Sequence, residues 1–157
     1  MTDEVPGAAA MVVHATAFVV GETGVLVRGA SGAGKSRLAR EVIAAAIGEG
    51  RFARLVADDR VALGVHSSRV VARPVPPIEG LIEIRGVGLA SMPYEPAALL
   101  GLVVDLQEEP LRLPERPDGL ARLGPVEVSR IVVNFPSAPS VVLWRLGVQS
   151  DVLVTVP

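Results

Sequence analysis

The sequence predicts an α/β fold, and three observations point there. The run Val25-Leu26-Val27-Arg28 leads straight into Gly29-Ala30-Ser31-Gly32-Ala33-Gly34-Lys35-Ser36, and that octapeptide opens a helical pattern. A second apolar run, Ala53 to Ala57, ends on the acidic pair Asp58-Asp59. Further short apolar runs follow, separated by breaks rich in glycine and proline. Strand, glycine loop and helix in that order are the context in which successive backbone N–H groups and a helix start converge on an anion.

Residues 1–9 read as a loose lead-in. Met11 to Val20 is expected to be one strand, with Val12, His14, Thr16, Phe18 and Val20 on one face and Val13, Ala15, Ala17 and Val19 on the other. Gly21-Glu22-Thr23-Gly24 makes a turn into the Val25–Arg28 strand. The spacing predicts a helix over 35–47, with Leu38, Val42, Ala45 and Ala46 near one stripe, ended by Gly48 and Gly50. Ala53–Ala57 should be a strand lying beside the loop strand. Val61–Leu63 and Arg69–Arg73 read as a strand pair, and Pro74, Pro76 and Pro77 break the chain before Leu81–Gly86. In that segment Glu83 and Arg85 alternate with Ile82 and Ile84 and share one face. Leu99–Leu106 reads as a buried strand, Gln107–Gly119 as a loop rich in proline and charge, and Val126–Phe135 as a late strand. Pro139–Leu146 suits a short terminal helix with proline in its first turn.

Composition removes several function classes. The net charge is −2, and aromatic residues make up only 3% of the chain. There is thus neither a broad basic footprint nor an aromatic platform for stacking bases, so no nucleic-acid partner is expected. With no cysteines, disulfides and thiolate metal sites are excluded. The longest apolar stretch, Ala8 to Val20, is interrupted by His14 and Thr16 and falls short of the roughly 20 residues a membrane helix needs. Asp3 and Glu4 stand where a secretory signal would carry basic residues. No membrane association is expected, and the cytoplasm is the expected compartment.

The chain holds a single lysine among 157 residues, and it sits inside the octapeptide; the other cationic side chains are all arginine. Residues 29–36 match the phosphate-cradling loop G-x-x-x-x-G-K-[ST] at every fixed position. Gly29, Ala30, Ser31, Gly32, Ala33, Gly34, Lys35 and Ser36 are therefore the expected nucleotide-binding residues, with the Ser36 hydroxyl available to a magnesium ion. A chance glycine-rich turn is the bland alternative. Asp58 and Asp59, at the carboxyl end of a strand, can hold magnesium or accept a proton from an attacking hydroxyl, or one of them can simply cap a turn. Asp105, closing a hydrophobic strand, competes with Asp58 and Glu83 for the metal. A histidine in a strand, such as His14, is ordinarily a satisfied core or edge residue.

These segments, taken in order, resemble the catalytic domain of HPr kinase/phosphorylase. The resemblance rests on His14 ahead of the glycine loop, on Leu55-Val56-Ala57-Asp58-Asp59-Arg60-Val61, on Pro76-Pro77-Ile78, and on Leu81-Ile82-Glu83-Ile84-Arg85-Gly86-Val87-Gly88-Leu89. It implies a P-loop kinase fold related to phosphoenolpyruvate carboxykinase, and ATP and Mg2+ as cofactors. It implies further that the protein phosphorylates a serine of the phosphocarrier HPr and forms a homo-oligomer, a hexamer in the family. By that resemblance Asp58 accepts the serine proton, with His14 as its close partner. Lys35 steadies the transferring phosphoryl group, Ser36 and Glu83 hold magnesium, and Arg85 lies near the phosphates. Arg122, in Arg122-Leu123-Gly124, matches the letters around a family arginine. The likeness is to a short, single-domain proteobacterial form, so 1–157 is expected to be one catalytic domain. The Gly-Arg-Asn loop tied to dephosphorylation is missing from residues 134–147, which favours the kinase direction. Two alternatives keep the same loop: a kinase with another acceptor, and a nucleotide-sensing module that transfers nothing.

Overall fold

A computed structural model describes residues 11–107 and 119–148. The lead-in over 1–9 and most of the proline-rich loop after Gln107 lie outside the described residues. Among the described residues, the chain forms β1 (Met11–His14), β2 (Thr16–Val20), β3 (Thr23–Gly29), α1 (Lys35–Gly48), β4 (Ala53–Ala57), β5 (Arg60–His66) and β6 (Arg69–Pro74). There follow β7 (Leu81–Ile84), β8 (Gly88–Ser91), β9 (Ala98–Leu106), β10 (Leu120–Leu123), β11 (Val126–Val133) and α2 (Ala138–Arg145).

The main sheet runs β1-β5-β6-β9-β3-β2-β4, and β11 joins β9 with β10 beside it. Strand β9 is long enough to serve two neighbours on one edge. Its start pairs antiparallel with β6 at Ala98 and Leu99, and its end pairs parallel with β11 from Val103 to Leu106. Its other edge runs parallel to β3, bringing Gly29 opposite Leu106. The carboxyl ends of β3, β9 and β11 therefore meet at one rim, where the glycine loop begins.

Alternation along the central strands sends successive side chains into two cores. Val25, Val27, Leu102, Val104 and Leu106 join Phe18 and Val20 under α1, whose Leu38, Ala39, Val42, Ile43 and Ala46 are buried there. Helix α2 adds Val142 and Leu143 to the same core. On the opposite face Leu26, Val103, Ala15, Ala17 and Val19 pack with Val61, Leu63, Val70 and Ala72, contributed by β5 and β6. The helix boundary, the Ala53–Ala57 strand and the Ala138 helix fall within two residues of expectation.

Two expectations are corrected. The single strand over Met11–Val20 is two: β1 pairs with β5, whereas β2 lies between β3 and β4. The chain changes partner at Ala15, whose N–H donates to Asp59 O at 3.3 Å. The alternation along Met11–Val20 has no glycine or proline to mark such a change. Nor does β4 lie beside the loop strand; β2 intervenes, and β9 is the other neighbour of β3. Strands β8 and β10 were not expected either, because each is four residues long and is held by a hairpin partner, β8 by β7 and β10 by β11.

Candidate functional site

The glycine loop leaves β3 and turns into α1 through two residues with positive φ, Gly32 at 83° and Gly34 at 105°. That conformation is open to glycine and strained for other residues. At Gly34 a side chain would also collide: an added Cβ would stand 2.8 Å from Phe135 Cε2. Phe135 is held from outside by the Arg37 guanidinium, 4.1 Å from its ring centroid. Helix α1 has no capping side chain and no acidic residue in its first turn. Its first amides are orphan donors of the kind that bind an anion.

Lys35 is only 7% exposed. Its Nζ donates to Gly29 O at 2.9 Å and to Ala30 O at 3.0 Å, so the ammonium lies against the loop it belongs to. Burial pushes its pKa below the usual lysine value, while the charges of Asp58 and Asp59 pull it back up. The two acids thus lie within electrostatic reach of the loop's cation.

Asp58 is 5% exposed and sits at the centre of the group. Its Oδ1 accepts from Ser36 Oγ at 2.7 Å and from Thr16 Oγ1 at 2.8 Å, and its Oδ2 accepts from the Glu83 N–H at 3.0 Å. Four segments remote in sequence therefore converge on one carboxylate: β2, the glycine loop, the end of β4 and β7. A bulge aims it there. The register between β2 and β4 shifts between Ala17 and Phe18, and bulges re-aim the residues that follow them. Asp59 adopts φ 67° inside a three-residue turn closed by Arg60 N–H donating to Asp58 O at 2.8 Å. This turn sends the two neighbouring carboxylates in different directions.

His14 was expected to partner Asp58, and here the structure corrects the reading. Its Nε2 lies 2.7 Å from Asp59 Oδ1, with both side chains more than half exposed. The outward turn of Asp59 puts the second acid beside the end of β1, leaving the first one inside. Asp105 is likewise diverted from the metal role it competed for. Arg28 donates to Asp105 Oδ1 at 2.8 Å and Oδ2 at 2.9 Å, and Arg130 also donates to Oδ2. Burial alone would push the Asp105 carboxyl up, but the bonds from Arg28 and Arg130 outweigh it and hold it below the usual range. Both oxygens face guanidinium groups on the sheet face opposite α1.

The remaining candidates divide. Glu83 reaches Asp58 through its backbone, and its exposed side chain lies on the outward face of the β7–β8 hairpin opposite Leu89. Arg85 is exposed in the turn of that hairpin. Arg122 is not brought to the group. It pairs in register with Glu127 at the start of β11, whereas the loop rim lies at Val133, about 20 Å further along the strand. There it lines a groove with Val65 and Ser68. Thr16, which no motif marks, is the residue sequence reasoning missed. Its alternation with Phe18 and Val20 identified the face but not the bond.

The donor set suits a hard divalent cation that keeps much of its shell from phosphates and water. Ser36 and Asp58 present adjacent oxygens, and the Glu83 amide is already on Asp58. Among the described residues no group of three or more His, Cys, Asp or Glu could hold a metal unaided. Magnesium in phosphoryl-transfer sites is bound that way, through one or two protein oxygens plus substrate.

Comparison with known proteins places the chain among related sequences and folds. A family model described as "HPr Serine kinase C-terminal domain" matches residues 7–94. A protein of Mycoplasma mycoides subsp. mycoides named HPr kinase/phosphorylase is 33% identical over 100 residues, covering 64% of this chain and 29% of the relative. One of Clostridium tetani with the same name is 30% identical over 120 residues, covering 72% of this chain and 36% of the relative. The chain therefore spans about a third of the length of these curated relatives. Among solved structures, that of the Hpr(Ser) kinase/phosphatase from Coxiella burnetii superposes with a TM-score of 0.70 at 24% identity. It covers 87% of this chain and 95% of its own, a likeness of fold.

Proposed function

Because the chain belongs to the HPr serine kinase C-terminal domain family, we propose that it transfers the γ-phosphoryl group of ATP to a serine hydroxyl of the phosphocarrier HPr. The observation that carries this reading is the buried Asp58 carboxylate, tied by Ser36 to the glycine loop and lying within electrostatic range of Lys35. A phosphate-binding loop beside a proton acceptor is the pairing that phosphoryl transfer to a hydroxyl requires.

In this reading the loop amides and Lys35 grip the ATP phosphates, as in other P-loop folds and in the phosphoenolpyruvate carboxykinase-like arrangement the resemblance implies. Lys35 leaves the carbonyls of Gly29 and Ala30 for the phosphate oxygens. The serine oxygen forms a bond to the γ-phosphorus as the bond from that phosphorus to the β-phosphate oxygen breaks. ADP leaves, and the serine proton passes to Asp58. Ser36 and, by the family resemblance, Glu83 would hold magnesium, which when bound offsets phosphate charge. Arg85, at the tip of the β7–β8 hairpin, supplies further positive charge beside the site, and the His14–Asp59 pair forms its outer wall. A cytoplasmic location and a homo-oligomeric assembly belong to the same reading.

Purified protein incubated with HPr, radiolabelled ATP and magnesium should label the carrier; an unlabelled carrier would overturn the reading. Asp58→Asn should keep ADP affinity within about threefold while turnover falls about a hundredfold or more. Equal loss of both would make Asp58 a binding residue instead.

A further inference from the structure

We infer that Thr16 is the positioning residue for the base, holding the Asp58 carboxylate so that Oδ2 is the oxygen that receives the serine proton. The inference rests on the kinase reading and adds to it a residue outside every motif in the sequence.

Thr16 is 1% exposed at the start of β2, where its backbone pairs with Val27 of the loop strand. A hydroxyl has one proton to donate, and Thr16 gives it to Asp58 Oδ1 at 2.8 Å. Ser36 gives its own to the same atom at 2.7 Å. Two donors fill the two lone-pair directions of a carboxylate oxygen. On Oδ2 the Glu83 amide takes one direction at 3.0 Å, so a lone pair is left there for an incoming proton.

The two hydroxyls on Oδ1 are not equivalent. Ser36 belongs to the glycine loop, and its oxygen has a second duty once nucleotide and metal are bound. Thr16 belongs to a strand hydrogen-bonded on both sides, to β3 and to β4. Its bond is the one that does not depend on the state of the loop. It also crosses the β-bulge that aims Asp58 inward, closing the irregularity between β2 and β4 with a side-chain contact. Without it the carboxylate can turn about its terminal torsion, a broad and weakly restrained one, and direct its free lone pair away from the incoming hydroxyl.

The test compares Thr16→Val, which keeps the shape and loses the hydroxyl, with Thr16→Ser, which keeps the hydroxyl and loses a methyl. Transfer to HPr is measured at saturating ATP, magnesium and HPr, with ADP affinity by calorimetry and melting temperature alongside. Thr16→Val should lose about ten- to a hundredfold in kcat. Its ADP affinity should stay within about threefold, and Thr16→Ser should recover most of the rate. Full kcat in Thr16→Val overturns the inference and leaves the kinase reading intact. So does equal impairment of both variants, which would trace the effect to packing, or a parallel loss of ADP affinity. Wild-type protein that labels no HPr overturns both.

Discussion

Single residues around the loop make unlike demands, and substitutions should separate them. Gly32 and Gly34 both hold positive φ, but an added Cβ at Gly32 meets nothing within 4 Å while one at Gly34 runs into Phe135. Gly32→Ala should therefore cost only the strain of its backbone conformation, about 1 kcal/mol, and Gly34→Ala about 2–3 kcal/mol because collision adds to strain. Chemical denaturation reads the difference, and ADP calorimetry should show the larger loss for Gly34→Ala. Equal costs would mean that Phe135 moves aside freely. At this scale the motif was legible because glycine, lysine and serine occur at fixed spacing in one short stretch. Thr16 was not, since a threonine alternating with Phe18 and Val20 looks like any strand residue until its partner, Asp58, is brought from 42 positions away.

Between elements, the Arg28–Asp105–Arg130 cluster ties β3, β9 and β11 together at the rim from which the loop departs. Its carboxyl is held below the usual range by two guanidinium donors, so its folded pKa lies under the unfolded value of about 3.9. A carboxyl shifted that way contributes stability above the unfolded pKa, and the contribution is lost as pH falls through the folded pKa. Asp105→Asn should thus cost about 1–3 kcal/mol near pH 7. The gap from wild type should close as acid protonates Asp105. A gap that stays constant down to pH 2 would assign the cost to packing. From sequence, Asp105 at the end of an apolar strand looked like a metal ligand. Arg28 and Arg130 are separated from it by 77 and 25 positions, and only the parallel registers set Arg28 opposite it and Arg130 opposite Val103, two residues along β9.

For the molecule as a whole, ligand binding and stability are linked, because the loop lies between the α1 core and the rim of the sheet. Magnesium and ADP at about a hundred times the dissociation constant should stabilise the fold by about 2.7 kcal/mol. For a chain of this size that raises the melting temperature by about 5–10 °C. Lys35→Ala should abolish most of that shift, and a shift that survives would place the nucleotide elsewhere. Local patterns placed the main elements within a residue or two: the helix expected over 35–47 runs to Gly48, the strands expected at 53–57 and 99–106 are β4 and β9, and the short helix carries Pro139 in its first turn. The strand–glycine loop–helix order and the acidic pair after β4 were legible from sequence alone, since each depends on residues that are neighbours along the chain. Tertiary structure alone decided that β2 separates β3 from β4, that His14 meets Asp59, that Arg122 stands at the far end of β11, and that Thr16 donates to Asp58. Each of these depends on strand order and register, and many orders satisfy the same alternation of apolar and polar residues until two cores and every backbone hydrogen bond must be satisfied at once.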